Sequence, residues 1–114
     1  MKATEKFSEA TFSDANCIFG NSTRFELIRL SMKEELGVSE MAKALNTERS
    51  IICYHLGRLE SHGLIKGRYI TRMTRKDRGV AKRVYGGTVK VVQVLANIGA
   101  IVGELMEEIR SQRG

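Results

Sequence analysis

Cysteine, tyrosine and histidine stand side by side at Cys53-Tyr54-His55, and the second of the two histidines, His62, follows shortly after. Cysteine and histidine are zinc ligands and partners in nucleophilic catalysis, so the first question is whether they can converge on one point. On a helix Cys53 and His55 lie about 200° apart around the axis and point to opposite sides. His62 is nine residues beyond Cys53, about 13 Å along the axis, too far to share one tetrahedral ion. No acidic orienting group is expected nearby. The spacing therefore argues against a metal, a catalytic residue and a cofactor, and for a protein that is not an enzyme.

The element that carries the triplet explains it better. Thr47 opens a helix with Glu48 near its positive N-terminus, and Ile52, Leu56 and Leu59 at i, i+4 and i+7 form its core stripe. Gly63 is its expected left-handed C-terminal residue. On this helix His55 falls beside the buried stripe, as a partly buried packing and hydrogen-bonding residue, while Arg49, Ser50, Cys53, Tyr54 and Gly57 face away. The outward set has the chemistry of a surface that reads DNA. Arg49 can donate two hydrogen bonds to guanine O6 and N7, and Thr47 and Ser50 offer hydroxyls to a base or a phosphate. Tyr54 can place its hydroxyl on a phosphate and its ring against a thymine methyl, Cys53 can pack near such a methyl, and Arg58 can clamp phosphate at the groove edge.

Charge points the same way. The 114-residue chain carries a formal net charge of +6. Residues 66–83 hold eight Lys/Arg against one Asp/Glu, a net +7, whereas residues 1–65 hold eight against nine. A positive excess this concentrated predicts an anionic polymer as partner. Two cysteines, Cys17 and Cys53, without CxxC spacing predict neither a disulfide framework nor a cysteine-rich zinc site, and a reducing cytoplasm as the home. The longest apolar run, residues 91–103, contains Gln93 and Asn97 and is shorter than the roughly 18 residues of a membrane span, so no membrane partner is expected.

The flanking elements follow from capping and periodicity. Residues 1–12 read as an N-terminal arm. Ser13 caps a short helix through Phe19, burying Ile18 and Phe19 and ending at Gly20. A core helix over about residues 22–33, capped by Ser22 or Thr23, carries Phe25, Ile28 and Met32 inward with Leu27 and Leu30 beside them. After Gly37, Ser39 caps a short helix burying Met41, Ala42 and Leu45 and ending at Asn46. Leu64 to Thr71 and Val80 to Tyr85 are rich in β-formers around Asp77-Arg78-Gly79, which predicts a hairpin with a basic tip. Arg68, Arg72, Arg75, Lys76, Arg78 and Lys82 on this hairpin are expected to contact phosphates.

Thr88 caps a last helix of about 23 residues, where Val91, Leu95, Ile98, Val102, Leu105 and Ile109 repeat at spacings of 4, 3, 4, 3 and 4, a heptad seam. Such a helix spans about 35 Å, more than a domain this small can cover, so the seam is expected to form a homodimer interface. Ala96, Gly99, Ala100 and Gly103 add a second face of small residues.

Two short helices joined by a tight turn and followed by a basic hairpin predict an α+β, mostly helical fold. It is a winged helix-turn-helix over residues 13–87, with a recognition helix at about 47–62, a two-stranded wing at about 64–85 and a C-terminal dimerisation helix at 88–114. From Gly20 to Tyr85 the sequence also resembles the winged-helix repressors of the arsenical-resistance (ArsR-like) type. GNSTRFELIRL resembles their opening core helix, VSEMAKALN the first helix of the helix-turn-helix, and TERSIICYHLGRLESHGLIKGR the recognition helix running into the wing. The run H-L-x-x-L-E-x-x-G-L at His55 to Leu64 is the most specific part. The resemblance implies a homodimeric transcriptional regulator of a pseudo-palindromic operator, dimerised through terminal helices. Metal-sensing members carry a cysteine pair in the first helix-turn-helix helix, or acidic and histidine ligands on the last helix. Here the first reads VSEMAKAL, and the last has Glu104, Glu107 and Glu108 without histidine. The expectation is thus a regulator, acting as a repressor on double-stranded DNA, without a metal sensor. The alternatives are an architectural DNA-coating protein and a winged-helix module for protein interaction.

Overall fold

Among the residues that the computed structural model describes, 8–72 and 80–113, five helices and one strand pair follow the expected order. They are α1 (Glu9–Phe19), α2 (Ser22–Lys33), α3 (Val38–Leu45), α4 (Arg49–Ser61), β1 (Ile65–Arg72), β2 (Val80–Gly87) and α5 (Val89–Arg113).

Helix α1 starts four residues before the expected cap. Ser8 Oγ accepts a hydrogen bond from the Thr11 amide at 3.1 Å, so Ser13 lies inside the helix, and residues 9–12 of the expected arm are helical. Helix α2 has the expected bounds, but Asn21 is its cap, its side chain accepting from the Arg24 amide. The inward line of α2 is Leu27, Ile28 and Ser31, with Phe25, Met32 and, on α1, Phe19 exposed instead of buried. Polar residues hide this line in the sequence. Ser31 satisfies its hydroxyl on the Ile28 carbonyl, and Arg24 donates from Nε to the Cys17 carbonyl at 2.6 Å.

Helix α3 is capped by Gly37, whose amide donates to Glu40 Oε1 at 3.2 Å; Ser39, the expected cap, sits in the first turn. Asn46 ends α3 in the left-handed conformation, φ 49°, and the Thr47 amide then reaches back to the Ala42 carbonyl at 2.9 Å. This closure makes the tight turn of the helix-turn-helix. Thr47 does not open α4: its hydroxyl donates to the Leu45 carbonyl, Glu48 takes the cap position and the helix begins at Arg49. The far end closes as expected, with Gly63 at φ 71° and the Leu64 amide on the Leu59 carbonyl at 3.0 Å.

Ile18, Leu27, Met41, Ile52, Leu56, Leu59, Leu64 and Val91 are the largest fully buried side chains. They bring α1 to α5 and the start of the hairpin into one core, each burial contributing about 1.5–3 kcal/mol. Strands β1 and β2 pair antiparallel from Ile65 opposite Gly87 to Arg72 opposite Val80. The loop before α3 adds a bridge, Leu36 and Tyr85 exchanging backbone hydrogen bonds of 3.1 and 2.8 Å. The wing is thereby fastened to the loop before α3 as well as to α4.

Helix α5 runs for 25 residues, about 38 Å by helix rise. Val91 and Val94 are buried in the domain core, with Ile98 packed against it. Val91, expected at a dimer interface, is therefore a residue of the protomer's own core.

Candidate nucleic-acid interface

The buried stripe of α4 fixes what its other side presents. With Ile52, Leu56 and Leu59 inward, the side chains of Arg49, Ser50, Cys53, Tyr54 and Arg58 are exposed, as is Gly57. Thr47 is half-buried behind them. Among the described residues nothing stands within 4 Å of where a Gly57 side chain would begin, so this part of the face is open. Arg49 Nη1 hydrogen-bonds Ser39 Oγ of α3, tying the first turn of α4 to the helix before it. Among the described residues no side chain caps the N-terminus of α4, which leaves first-turn amides directed outward. Ile51, in the same turn, is 43% exposed. Sequence reading missed it because an isoleucine next to Ile52 looks like core; only the placement of the stripe shows that it points out.

His55 is buried on the opposite flank of Tyr54, whose ring meets it edge-on at 5.1 Å between centroids. Arg24 Nη1 lies 3.4 Å from His55 Nδ1. A guanidinium only donates, so this nitrogen must accept, which requires the imidazole to be uncharged there. Burial first, and then the positive charges of Arg24 and Arg58, hold the His55 pKa below its ordinary value. The two thiols also separate: Cys17 is buried and burial pushes its pKa up, whereas Cys53 is exposed.

The strands of the wing carry cations that the body of the domain already engages. Arg68 donates from Nε and Nη2 to the two carboxylate oxygens of Glu35 at 2.6 and 2.5 Å, and this pairing holds the Glu35 carboxyl below its usual pKa. Lys82 pairs with Glu40 of α3. Arg83 reaches Glu60 of α4 at 3.1 Å. Arg68 and Lys82, expected as phosphate contacts, are thus first of all ties between wing and body. Arg72 ends β1, and Arg75, Lys76 and Arg78 lie outside the described residues.

A second open surface differs in kind. Along α5, Val92, Leu95, Val102, Leu105, Met106 and Ile109 are exposed. Among the described residues, Gly99 and Gly103 have no neighbour within 4 Å of a notional side chain. An 18-residue stretch of this helix has a mean hydropathy of 1.6 and is only 11% buried. By length and composition the helix is long and apolar enough to cross a membrane, contrary to the expected shortfall. Its first turns nevertheless belong to the domain. Lys90 Nζ donates to the His62 carbonyl at 2.6 Å and lies 3.3 Å from Asp14, which also holds His62 Nδ1 at 2.8 Å.

A helix-turn-helix followed by a strand pair docked beside its second helix defines the winged helix-turn-helix class. Solved structures share this architecture at low sequence identity. An ArsR-like transcriptional regulator from Rhodococcus sp. RHA1 superposes with a TM-score of 0.64 at 17% identity over 91% of this chain and 90% of that one. A homodimeric winged helix-turn-helix DNA-binding domain from Mycobacterium bovis, described as a possible ArsR-family regulator, gives 0.61 at 19% over 88% and 84%. A possible transcriptional regulator for arsenical resistance gives 0.57 at 25% over 82% and 83%. No protein-family model and no curated protein matches the sequence. The fold is therefore that of ArsR-like winged helices.

Proposed function

We propose that the protein is a homodimeric transcriptional regulator that binds double-stranded DNA and acts as a repressor by occupying its site. The observation that carries this reading is the outward face of α4. It combines Arg49, Ser50, Tyr54 and Arg58, the exposed Ile51 and an N-terminus without a side-chain cap. The major groove is about 12 Å wide and admits one such helix. First-turn amides and Arg58 would meet phosphates, Arg49 a guanine edge, and Ile51 or Cys53 thymine methyls. The basic segment of residues 66–83 would follow the backbone and supply affinity more than sequence information.

The exposed apolar residues of α5 supply the dimer. Two copies joined along Leu95, Val102, Leu105 and Ile109 would hold two recognition helices at half-sites about 34 Å apart, one helical turn of DNA. Because Lys90, Val91 and Val94 anchor the helix to the domain, a second copy suits this face better than a bilayer. The homodimeric Mycobacterium bovis domain supports the same assembly. With about four cations per subunit on phosphates, log affinity should fall with log salt at a slope of roughly −7 for the dimer. A titration across salt concentrations tests it, and a slope near zero sinks the DNA-binding reading.

A further inference from the structure

We propose that Arg83 is a positioning residue that locks the wing to the recognition helix, and that Glu60 serves DNA binding by holding Arg83. The inference rests on the DNA-binding reading above. Arg83 sits on β2 and makes four contacts with three elements. Its Nη2 donates to Glu60 Oε2 of α4 at 3.1 Å and its Nε to the Tyr85 hydroxyl at 3.1 Å. Its guanidinium carbon lies 5.2 Å from the Tyr69 ring centroid on β1 and 5.3 Å from that of Tyr85. The opposite strand makes room for it: a side chain at Gly67 would begin 2.7 Å from Arg83 Nε and Nη2. A planar group with separate donors fits such a site, and a lysine ammonium does not reproduce it. Glu60 follows Leu59 of the α4 core stripe, so the pair fixes the wing to a helix whose orientation the core already sets.

Arg68–Glu35 and Lys82–Glu40 repeat the arrangement on the loop before α3 and on α3 itself. Three cations of a strand pair with three carboxylates from separate parts of the body is the pattern of a clamp. A surface meant only to attract DNA would leave those cations without carboxylates beside them.

The sign of one substitution separates the two roles. Glu60 places a negative charge beside a surface that receives a polyanion, so by charge alone Glu60→Gln tightens binding to all DNA. By positioning, Glu60→Gln loosens the wing and weakens binding to the preferred site while leaving scrambled DNA bound as well or better. Arg83→Lys keeps the charge and loses the fork, so it should lower the same ratio. The probes are the duplex that the wild-type full-length chain selects from a randomised pool and a scrambled duplex of equal composition. The expected result is a fall of about tenfold in the preferred-to-scrambled affinity ratio for each variant, with the melting transition retained.

A second measurement needs no DNA. A spin label on Cys53, the exposed native thiol, and another on an introduced Thr71→Cys should report a broader distance distribution in both variants than in the parent. An unchanged distribution, or Glu60→Gln binding both duplexes more tightly by the same factor, overturns the proposal. A pool that yields no preferred duplex defeats the DNA-reading function instead, and the distance measurement still decides whether Arg83 fixes the wing.

Discussion

Helices α4 and α5 solve opposite problems. The 13 residues of α4 complete their burial inside the protomer: Ile52, His55, Leu56 and Leu59 are enclosed, and the remaining face is mostly polar and basic. The 25 residues of α5 bury only Val91 and Val94, and an apolar seam is left in the open. A helix whose apolar stripe is satisfied and whose other face is polar is suited to a polar, charged ligand. A helix with a second apolar stripe is suited to another apolar surface. The contrast leaves two kinds of open surface on one small domain, and each can be broken separately.

The largest effect is expected where α4 is saturated. Leu56→Ala removes a fully buried side chain from the core and should cost about 2–5 kcal/mol in a denaturant or thermal melt. DNA binding should fail with the fold. If the melt hardly moves, the inward stripe of α4 has been misplaced and its outward face with it.

On α5 a change of comparable size should appear in assembly and not in the core. Leu105→Glu puts a charge on an exposed apolar residue far from Val91 and Val94. Sedimentation should show the dimer replaced by a folded monomer, with operator affinity lowered at least tenfold because two half-sites no longer act together. A dimer of unchanged strength would move the interface off this seam.

The outer face of α4 comes next. Tyr54→Ala and Arg49→Ala should each weaken DNA binding by about 1–3 kcal/mol, the discrimination a good base or backbone contact supplies, while the melt stays within about 0.5 kcal/mol of the parent. Ile51→Ala should alter sequence preference more than affinity for scrambled DNA. Equal losses on every duplex would make Ile51 a packing residue.

What was legible in the sequence follows the same division. The α4 stripe, the helix end at Asn46, the left-handed Gly63 and the order of elements could all be read, because each depends on neighbours within a turn or two. The inner line of α2 could be read only in part: Ile28, with Leu27 beside it, was placed, but Phe25 and Met32 were expected inward as well, and Arg24 and Ser31 occupy positions that look outward until their hydrogen bonds to Cys17 and Ile28 are seen. Periodicity also finds an apolar face without saying what covers it. Phe19 and Phe25 are apolar at helical spacing, yet they meet each other at the surface, ring centroids 5.8 Å apart. The candidate site divides similarly: the exposed set on α4 was legible apart from Ile51, whereas the wing ties Arg68–Glu35, Lys82–Glu40 and Arg83–Glu60 join residues 33, 42 and 23 positions apart. Opposite charges at such separations carry no local signal.

The smallest expected effect concerns His55, where the buried and exposed sides of α4 adjoin. Its pKa in the fold is lowered by burial and by Arg24 and Arg58, so the unfolded chain takes up its proton more readily than the native one. The stability that His55 supplies by staying uncharged is fully present above its unfolded value, about 6.5. That stability is lost as pH falls from there through the lower folded value. Melts taken at descending pH should therefore decline more steeply for the parent than for His55→Asn below about pH 6.5, before the carboxylates, including the Arg68-bound Glu35, begin to protonate. Equal slopes would mean that the imidazole accepts its proton in place, and that the Arg24 contact does not hold it neutral against the back of the recognition face.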